Sequence, residues 1–450
     1  MYPPIGDYLD KKMTFAIAAV AVLVAASVGV AFILNGTDKN AVGVETGRLV
    51  IYGNANNDDY LDEKDVIFIE EILNGEREWD SAKYPFADTD TDGAITQNDV
   101  DLLKKFLNKK SSEMFYYDYA GTIQSIHYPI TGNLSVIYNY GLDAAIILGC
   151  YGRVVAASNN IITTSTNTET RYPGLKSMVN IRDPVGDPED LMRAGVDHNV
   201  KAIFGIGESY VTTIQEKLKE ANSDIDVITI NTSGYKGQSC DYMGGIITLG
   251  VMFGCEQNAY KYIKYVDKVL NYLDEKLDGA PEYTMVIPHN PSNAVDVSIR
   301  TSGSTKAVAG NVFTLSLLPL KDLFAGKQAG ASTTANIENI MVMDPDILII
   351  STWATISDSM TYIEAQRAFE NMAGYFSMCN AYKNGKVFCA TFESMGTYSG
   401  IADLILLASF IWPDLVDEGY GWKVLQEYYD TFTMLKVDVK KVGCFAPMKL

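Results

Sequence analysis

Two short stretches of the 450-residue chain carry oxygen atoms at a fixed spacing. Residues 54–65 read NANNDDYLDEKD and residues 88–99 read DTDTDGAITQND. Oxygens at positions 1, 3, 5, 7, 9 and 12 of a twelve-residue loop converge on one hard cation, the way calcium takes its ligands. The first loop supplies Asn54, Asn56, Asp58, the Tyr60 carbonyl, Asp62 and Asp65. The second supplies Asp88, Asp90, Asp92, the Ala94 carbonyl, Thr96 and Asp99. Gly93 holds position 6 of the second loop, where the chain turns sharply; Asp59 holds it in the first and would take a left-handed backbone only at a cost. Two matches in register point to bound Ca2+, with the second loop the stronger site. The plain alternative is a pair of acidic turns that bind nothing.

No comparable signal for catalysis exists. Three histidines, His127, His198 and His289, leave little general-base capacity beyond carboxylates. The nucleophile elbow, the P-loop and the HExxH zinc motif are all absent. Gly205 and Gly207 lack the rest of a dinucleotide fingerprint. A net charge of −20 excludes the basic surface that nucleic acid requires. The chain reads as a non-enzyme. Its six cysteines (Cys150, Cys240, Cys255, Cys379, Cys389, Cys444) have no zinc spacing. Cys379 with Cys389, and Cys240 with Cys255, are the nearest pairs; disulfides and free buried thiols both fit.

The elements that position these groups fall into distinct segments. Residues 13–34 (MTFAIAAVAVLVAASVGVAFIL) carry no charge. At about 1.5 Å per residue they would span roughly 33 Å, enough for a bilayer core. Lys11 and Lys12 favour a cytoplasmic tail over 1–12, a single-pass anchor over 13–34 and residues 35–450 outside the cell. A cleaved signal peptide is the rival reading. The run exceeds the usual apolar region of about 7–15 residues, however, and no small-x-small site closes it. An uncleaved anchor suits a cell without a sealed periplasm, such as an archaeon.

From about residue 115 the pattern becomes α/β. Short apolar runs at 144–148, 154–157, 202–206, 227–230, 284–287 and 347–350 alternate with helical stretches, as in parallel sheets. Between two such groups, Tyr262, Ile263, Val266, Val269, Leu270, Leu273 and Leu277 recur at helical spacing. They predict one helix of about 34 Å, stopped by Gly279. Two lobes, 115–254 and 280–450, joined by a stiff strut over 255–279, follow.

Several phrases resemble known families. The paired loop–helix units over 46–110, each closed by Asp at position 12, resemble dockerin modules, which are extracellular and bind cohesin domains. Asp59 departs from that family's pattern. Residues 186–192 (GDPEDLM) with 200–205 (VKAIFG), and 335–341 (ANIENIM) with 344–350 (DPDILII), resemble the substrate-binding proteins of iron-siderophore, haem and cobalamin ABC importers. Residues 381–388 (AYKNGKVF) and 412–415 (WPDL) match the same family in the same order, over about residues 119–420. The resemblance implies an α/β fold of two Rossmann-like lobes joined by one long helix. A transmembrane helix and a small all-α calcium module would precede it. It further implies capture of a metal chelate and delivery to an ABC permease, with Glu189 and Glu338 pairing with the permease's arginines. An ordinary helix N-terminal acid is the alternative for each glutamate.

Ligands of open α/β sheets bind beyond the carboxyl ends of strands, and clefts between lobes are preferred sites. Strand ends therefore nominate His127, Tyr128, Ser158, Asn159, Glu208, Tyr210, Tyr235 and Tyr242 in the first lobe. In the second they nominate His289, Asn290, Trp353, Glu393 and Tyr398. Aromatic faces with a few polar donors suit a large, flat or chelated ligand. His127 and His289 could face one another across such a cleft and touch a metal or haem; hydrogen-bonded loop histidines are the plainer reading. A second functional reading is an interaction protein, with the dockerin-like module recruiting a cohesin-like partner and the α/β region binding a partner or polymer.

Overall fold

The computed structural model describes residues 48–163, 169–184, 187–205, 208–232, 242–293, 295–304, 310–352, 360–391 and 398–450. The expected anchor at 13–34 lies outside them. Among the described residues no helix is long and apolar enough to cross a membrane. The chain divides into two compact units, with the boundary between Pro129 and Ile130. The start of the lobes expected at 115 therefore moves to 130.

The first unit is built on its two oxygen-rich loops. Each ends in a capping box that starts a helix, α1 (Glu63–Leu73) from Asp62 and Asp65, and α2 (Gln97–Leu107) from Thr96 and Asp99. The helices bury Val66, Ile69, Val100, Leu103 and Phe106. The expected all-α module is not what folds here, because the unit also contains strands. β1 (Ser112–Tyr117) and β2 (Ile123–Tyr128) form an antiparallel hairpin. Its alternate residues Met114, Tyr116, Ile126 and Tyr128 point into the core. Tyr52 N donates to Phe115 O and Tyr117 N to Val50 O, so the strand-like run before the first loop adds to the hairpin. The rings of Tyr52, Phe86 and Tyr117 meet edge-on and close this core.

The second unit holds both lobes. Its first lobe runs β3 (Asn133–Val136), α3 (Asn139–Ile147), β4 (Val154–Ser158), α4 (Asn159–Thr163), β5 (Val179–Ile181), α5 (Glu189–His198), β6 (Val200–Phe204), α6 (Glu208–Glu220), β7 (Asp226–Val227) and α7 (Tyr242–Phe253). All five strands are parallel in the order β5-β4-β3-β6-β7. The apolar run at 144–148, read as a strand, is instead the end of α3 and its cap. A five-residue apolar run does not distinguish a strand from a buried helix turn. The first strand is the less apolar 133–136.

The strut is α8 (Glu256–Lys276), close to its expected bounds. It packs on α3 and α7 of the first lobe and on α13 of the second. That second lobe runs β8 (Tyr283–His289), β9 (Val297–Arg300), α9 (Gly310–Leu315), β10 (Leu320–Asp322), β11 (Ser332–Ala335), α10 (Ile337–Met343), β12 (Ile347–Thr352), α11 (Tyr362–Gly374), α12 (Asn380–Lys383), β13 (Val387–Thr391), α13 (Gly400–Ile411), α14 (Glu418–Phe432) and β14 (Met448–Lys449). Its sheet has the order β11-β9-β8-β12-β13-β14, with β10 pairing β8. β10, β8, β12 and β13 are parallel, while β9 and β14 run against their neighbours. Tyr262 and Tyr265 of α8 donate to the carbonyls of Tyr398 and Val424 at 2.9 and 3.0 Å, fixing the strut to this lobe.

Candidate functional site

The two loops of the first unit repeat one hydrogen-bond plan. In each, the carboxylate at position 12 accepts from the backbone N–H of positions 3 and 9. Asp65 takes Asn56 N and Asp62 N at 3.2 and 2.9 Å, and Asp99 takes Asp90 N and Thr96 N at 3.2 and 2.7 Å. The carboxylate at position 5 accepts from position 7, Tyr60 N to Asp58 and Ala94 N to Asp92. In the second loop Asp88 also accepts from Asp92 N and Gly93 N. One oxygen each from Asp88, Asp90 and Asp99 lie within 4.8 Å of one another. The left-handed residues sit at position 4 in both loops, Asn57 at φ 59° and Thr91 at φ 61°, with Gly93 at φ 92°. Asp59 is not among them, so the strain expected at position 6 of the first loop does not arise. Its carboxylate instead accepts from Arg48 N at 2.6 Å.

The second loop brings three carboxylates together as a hard cation needs, and the first repeats its hydrogen-bond plan. Burial pushes the carboxyl of Asp65 up to about 7 and that of Asp88 up to about 6, so charge on either is costly. Asn54, at position 1 of the first loop, is fully buried, and its Oδ1 has no hydrogen-bond partner. A buried acceptor left empty is costly, and a cation would fill it. The donors are all oxygens, the set that calcium and magnesium take.

In the second unit the strand orders define two switch points. In the first lobe the chain turns from β3 outward to β4 and β5, then returns to place β6 on the other side of β3. Ligands of such sheets lie in the crevice outside the strand carboxyl ends at that point. Gly205 follows β6 there at φ 85°, and a Cβ on it would lie 3.2 Å from Gly141 Cα, so the first turn of α3 closes tightly over the end of β6. In the second lobe β10 flanks β8 on one side and β12 on the other, and the switch point lies between the ends of β8 and β12.

That second switch point carries a polar network. His289 Nδ1 lies 3.2 Å from Ser351 Oγ, and Asn290 Nδ2 lies 3.3 Å from His289 Nε2. Asn290 is left-handed at φ 44°. Its N–H donates to Ser351 O at 2.9 Å, and Thr352 Oγ1 donates to its Oδ1 at 2.9 Å. His289 is 8 % exposed, and its burial, helped by Arg300, lowers its pKa to about 4. Ser351 and Thr352 were not nominated from the sequence. Their signal was a polar pair directly after the apolar run 347–350.

No protein-family model and no curated protein matches the sequence. Among solved structures, the chain is similar to the TroA-like periplasmic binding protein FepB from Veillonella parvula. Identity is 14 %, covering 75 % of this chain and 99 % of that one, with a TM-score of 0.57. It is also similar to the molybdate periplasmic binding protein MolA of Haemophilus influenzae, solved with molybdate. There identity is 15 %, coverage 71 % and 97 %, and TM-score 0.50. The chain has a TroA-like, two-lobed binding-protein fold.

The binding-protein fold re-sorts the nominated residues. His289 and Asn290 lie at a switch point. Ser158 ends β4, but it is buried and its Oγ donates to Ile137 O at 2.5 Å, a role inside the lobe. Asn159 follows it, half-buried, and accepts from Asn180 at 2.9 Å. His127 and Tyr128 are corrections: they belong to β2 of the first unit and do not follow a lobe strand. Tyr128 is buried there, with its hydroxyl on Phe106 O at 3.2 Å. His127 lies in the first unit and His289 in the second, so the two do not follow strands of opposite lobes as expected. Tyr398 is fully buried against Tyr262 of the strut, with ring centroids 5.8 Å apart. It is a packing residue. Glu208 and Tyr210 lie in the first turn of α6, and Tyr242 begins α7. Tyr235, Trp353 and Glu393 lie outside the described residues.

Glu189 and Glu338 are both exposed, each in the first turn of its helix. α5 and α10 each start on the side of their sheet where the β3 or β8 carboxyl end lies. Glu189 pairs with Arg193 one turn on, at 3.1 Å. The nearest-neighbour cysteine pairing does not hold for Cys379 and Cys389, which are both free and buried.

Proposed function

We propose that this chain is a membrane-anchored, extracytoplasmic substrate-binding protein. It captures a metal chelate (a ferric siderophore, haem or cobalamin) between its lobes and hands it to an ABC permease. The observation that carries this reading is the pair of switch points, one per lobe, on two α/β sheets tied together by α8. Capture needs no chemistry, and the polar groups gathered at the second switch point are hydrogen-bonding rather than catalytic in arrangement. α8, packed on both lobes, restricts the lobes to a small hinge or twist. Glu189 and Glu338, exposed on the same side as the switch points, offer one carboxylate per lobe to permease arginines. The 13–34 segment supplies the anchor, and residues 35–450 work outside.

Ca2+ in the two loops of the first unit stiffens the segment between anchor and lobes. Because both loops reproduce one bonding plan, a second reading is kept for this unit, recruitment of a cohesin-like domain. A thermal-shift screen tests the main reading, using ferric siderophores, haem, cobalamin and, because MolA holds molybdate, molybdate as well. A specific ligand at a hundredfold excess over its dissociation constant stabilises by about 2.7 kcal/mol. No shift with any of them would turn the assignment toward the interaction protein.

A further inference from the structure

We infer that the groove between α11, α14 and β14 is a second binding site, suited to a neutral carbohydrate chain. The groove holds about 460 Å³, within the range of pockets that take drug-sized ligands, roughly 300–1,000 Å³. It is separate from the second switch point. β14 is the edge strand of the second-lobe sheet, and β13 lies between it and β12. The inference is therefore independent of what the cleft takes.

Local sequence builds the walls. Thr361 and Glu364 form the capping box that starts α11. Tyr362 N donates to Lys441 O at 2.9 Å and Gly443 N to Met360 O at 3.1 Å, which fastens the segment after α14 to that helix start. A Cβ on Gly443 would collide with Ala365 Cβ and lie 2.9 Å from Thr361 O, so only glycine allows this approach. α14 carries Glu418 and Trp422 one turn apart on one face. Lys449 comes from β14, held against Phe388 of β13.

The rings of Tyr362 and Trp422 meet at 65° with centroids 6.1 Å apart and form an aromatic corner. Polar groups are held in fixed positions around it. Trp422 Nε1 donates to Glu418 Oε1 at 3.3 Å, and Lys449 Nζ donates to Glu418 Oε2 at 3.0 Å while lying 4.6 Å over the Phe410 ring. Gln366 Nε2 donates to Lys449 O at 3.0 Å and to Glu370 Oε1 at 3.4 Å. A sugar ring has an apolar C–H face and a rim of hydroxyls that both donate and accept. The aromatic corner covers such a face, and the carboxylates, amide and ammonium take the hydroxyls. Charge narrows the ligand class further. The charged residues of the groove are Arg367, Lys449, Glu370 and Glu418, so its two signs cancel, although the chain carries −20. The field of the whole chain repels a polyanion, and a neutral groove gives a polycation no reason to settle there. A neutral polyhydroxyl chain fits both conditions. Ile363 in the groove is 66 % exposed, so the site is open to solvent and admits a unit within a longer chain.

The full chain is titrated with cellohexaose, maltoheptaose and chitohexaose, followed by saturation-transfer NMR and tryptophan fluorescence. Polygalacturonate and an unstructured peptide of mixed charge stand for the other ligand classes. At least one neutral oligosaccharide is expected to bind, and Trp422→Ala to weaken it about tenfold or more. Trp422 is half-buried, so a second variant guards against misfolding: Arg367→Ala with Glu370→Ala removes two exposed side chains. It is expected to weaken the sugar while urea unfolding stays unchanged. Three results overturn the inference: no binding of any neutral oligosaccharide at millimolar concentration, binding that both variants leave intact, or binding of the polygalacturonate or the peptide in its place. Thermal shifts with the chelates, measured on the same variants, are expected to match the wild type, so failure of the groove and failure of the cleft are read separately.

Discussion

His289 makes stability fall with acidity in a window set by its own burial. Its pKa is lowered from 6.5 to about 4, first by burial and then by Arg300. In the unfolded chain the imidazole takes a proton as pH drops below 6.5, whereas the folded protein resists until about 4. The unfolded state therefore binds more protons in that window, and the contribution is absent above it. A separation of about 2.5 units corresponds to roughly 3 kcal/mol lost at pH 4 and about 2.5 kcal/mol at pH 4.5. Many carboxylates change in the same range, so the test is a difference between proteins. Urea unfolding of the wild type and of His289→Gln is compared at pH 7.5 and 4.5, with the wild type losing about 2–3 kcal/mol more than the variant. With three histidines in the chain, imidazole NMR shows directly which resonance titrates near 4 and disappears in the variant. A titration midpoint at 6 or above, or equal losses in both proteins, would refute the argument that His289 is held neutral between Ser351 and Asn290.

Three further outcomes are expected. If both loops hold calcium as proposed, calorimetry finds two ions per chain, falling to one in Asp88→Asn, because oxygens of Asp88, Asp90 and Asp99 lie within 4.8 Å of one another; an unchanged count would refute that assignment. In Gly421→Ala the new Cβ would lie 2.8 Å from Leu406 Cα and force α14 off α13. About 1–3 kcal/mol of stability should be lost, and unaltered urea unfolding would contradict the close crossing. The double variant Glu189→Arg with Glu338→Arg should keep its affinity for the chelate within twofold while transport by the reconstituted permease fails. Loss of ligand binding in that variant would place these carboxylates in the cleft instead of on the permease face.

Much of the fold was legible because its signals were long or repeated. The α8 helix announced itself through seven apolar residues at helical spacing, and the helix–strand phrases at 189–204 and 337–352 through their order. Short elements were not legible. The strand at 133–136 has only two aliphatic residues and gave no signal, and the helix at 139–147 hides behind an apolar run that read as a strand. The β1–β2 hairpin alternates buried and half-exposed residues too weakly to separate from a loop, and missing it sent His127 and Tyr128 to the wrong unit. His289 and Asn290 do lie at the carboxyl end of a strand, where the sequence places them, because a polar pair directly follows an apolar run. Nominated residues were misassigned where an aromatic side chain was filling the core, as with Tyr398.

The two oxygen-rich loops show why a motif match overlaps with a folding signal. Positions 9 and 12 in both loops are also the two members of a capping box, which any helix start can use without a metal. Asp62 with Asp65, and Thr96 with Asp99, are therefore weak testimony for a cation. The discriminating residues are those that the helix does not need. Asp88 and Asp90 bring two more carboxylates to Asp99, and Asn54 holds a buried oxygen with nothing donating to it. A helix start alone would not bury that oxygen unpaired, because the cost of leaving a buried acceptor unmet, about 1–3 kcal/mol, would remain without return.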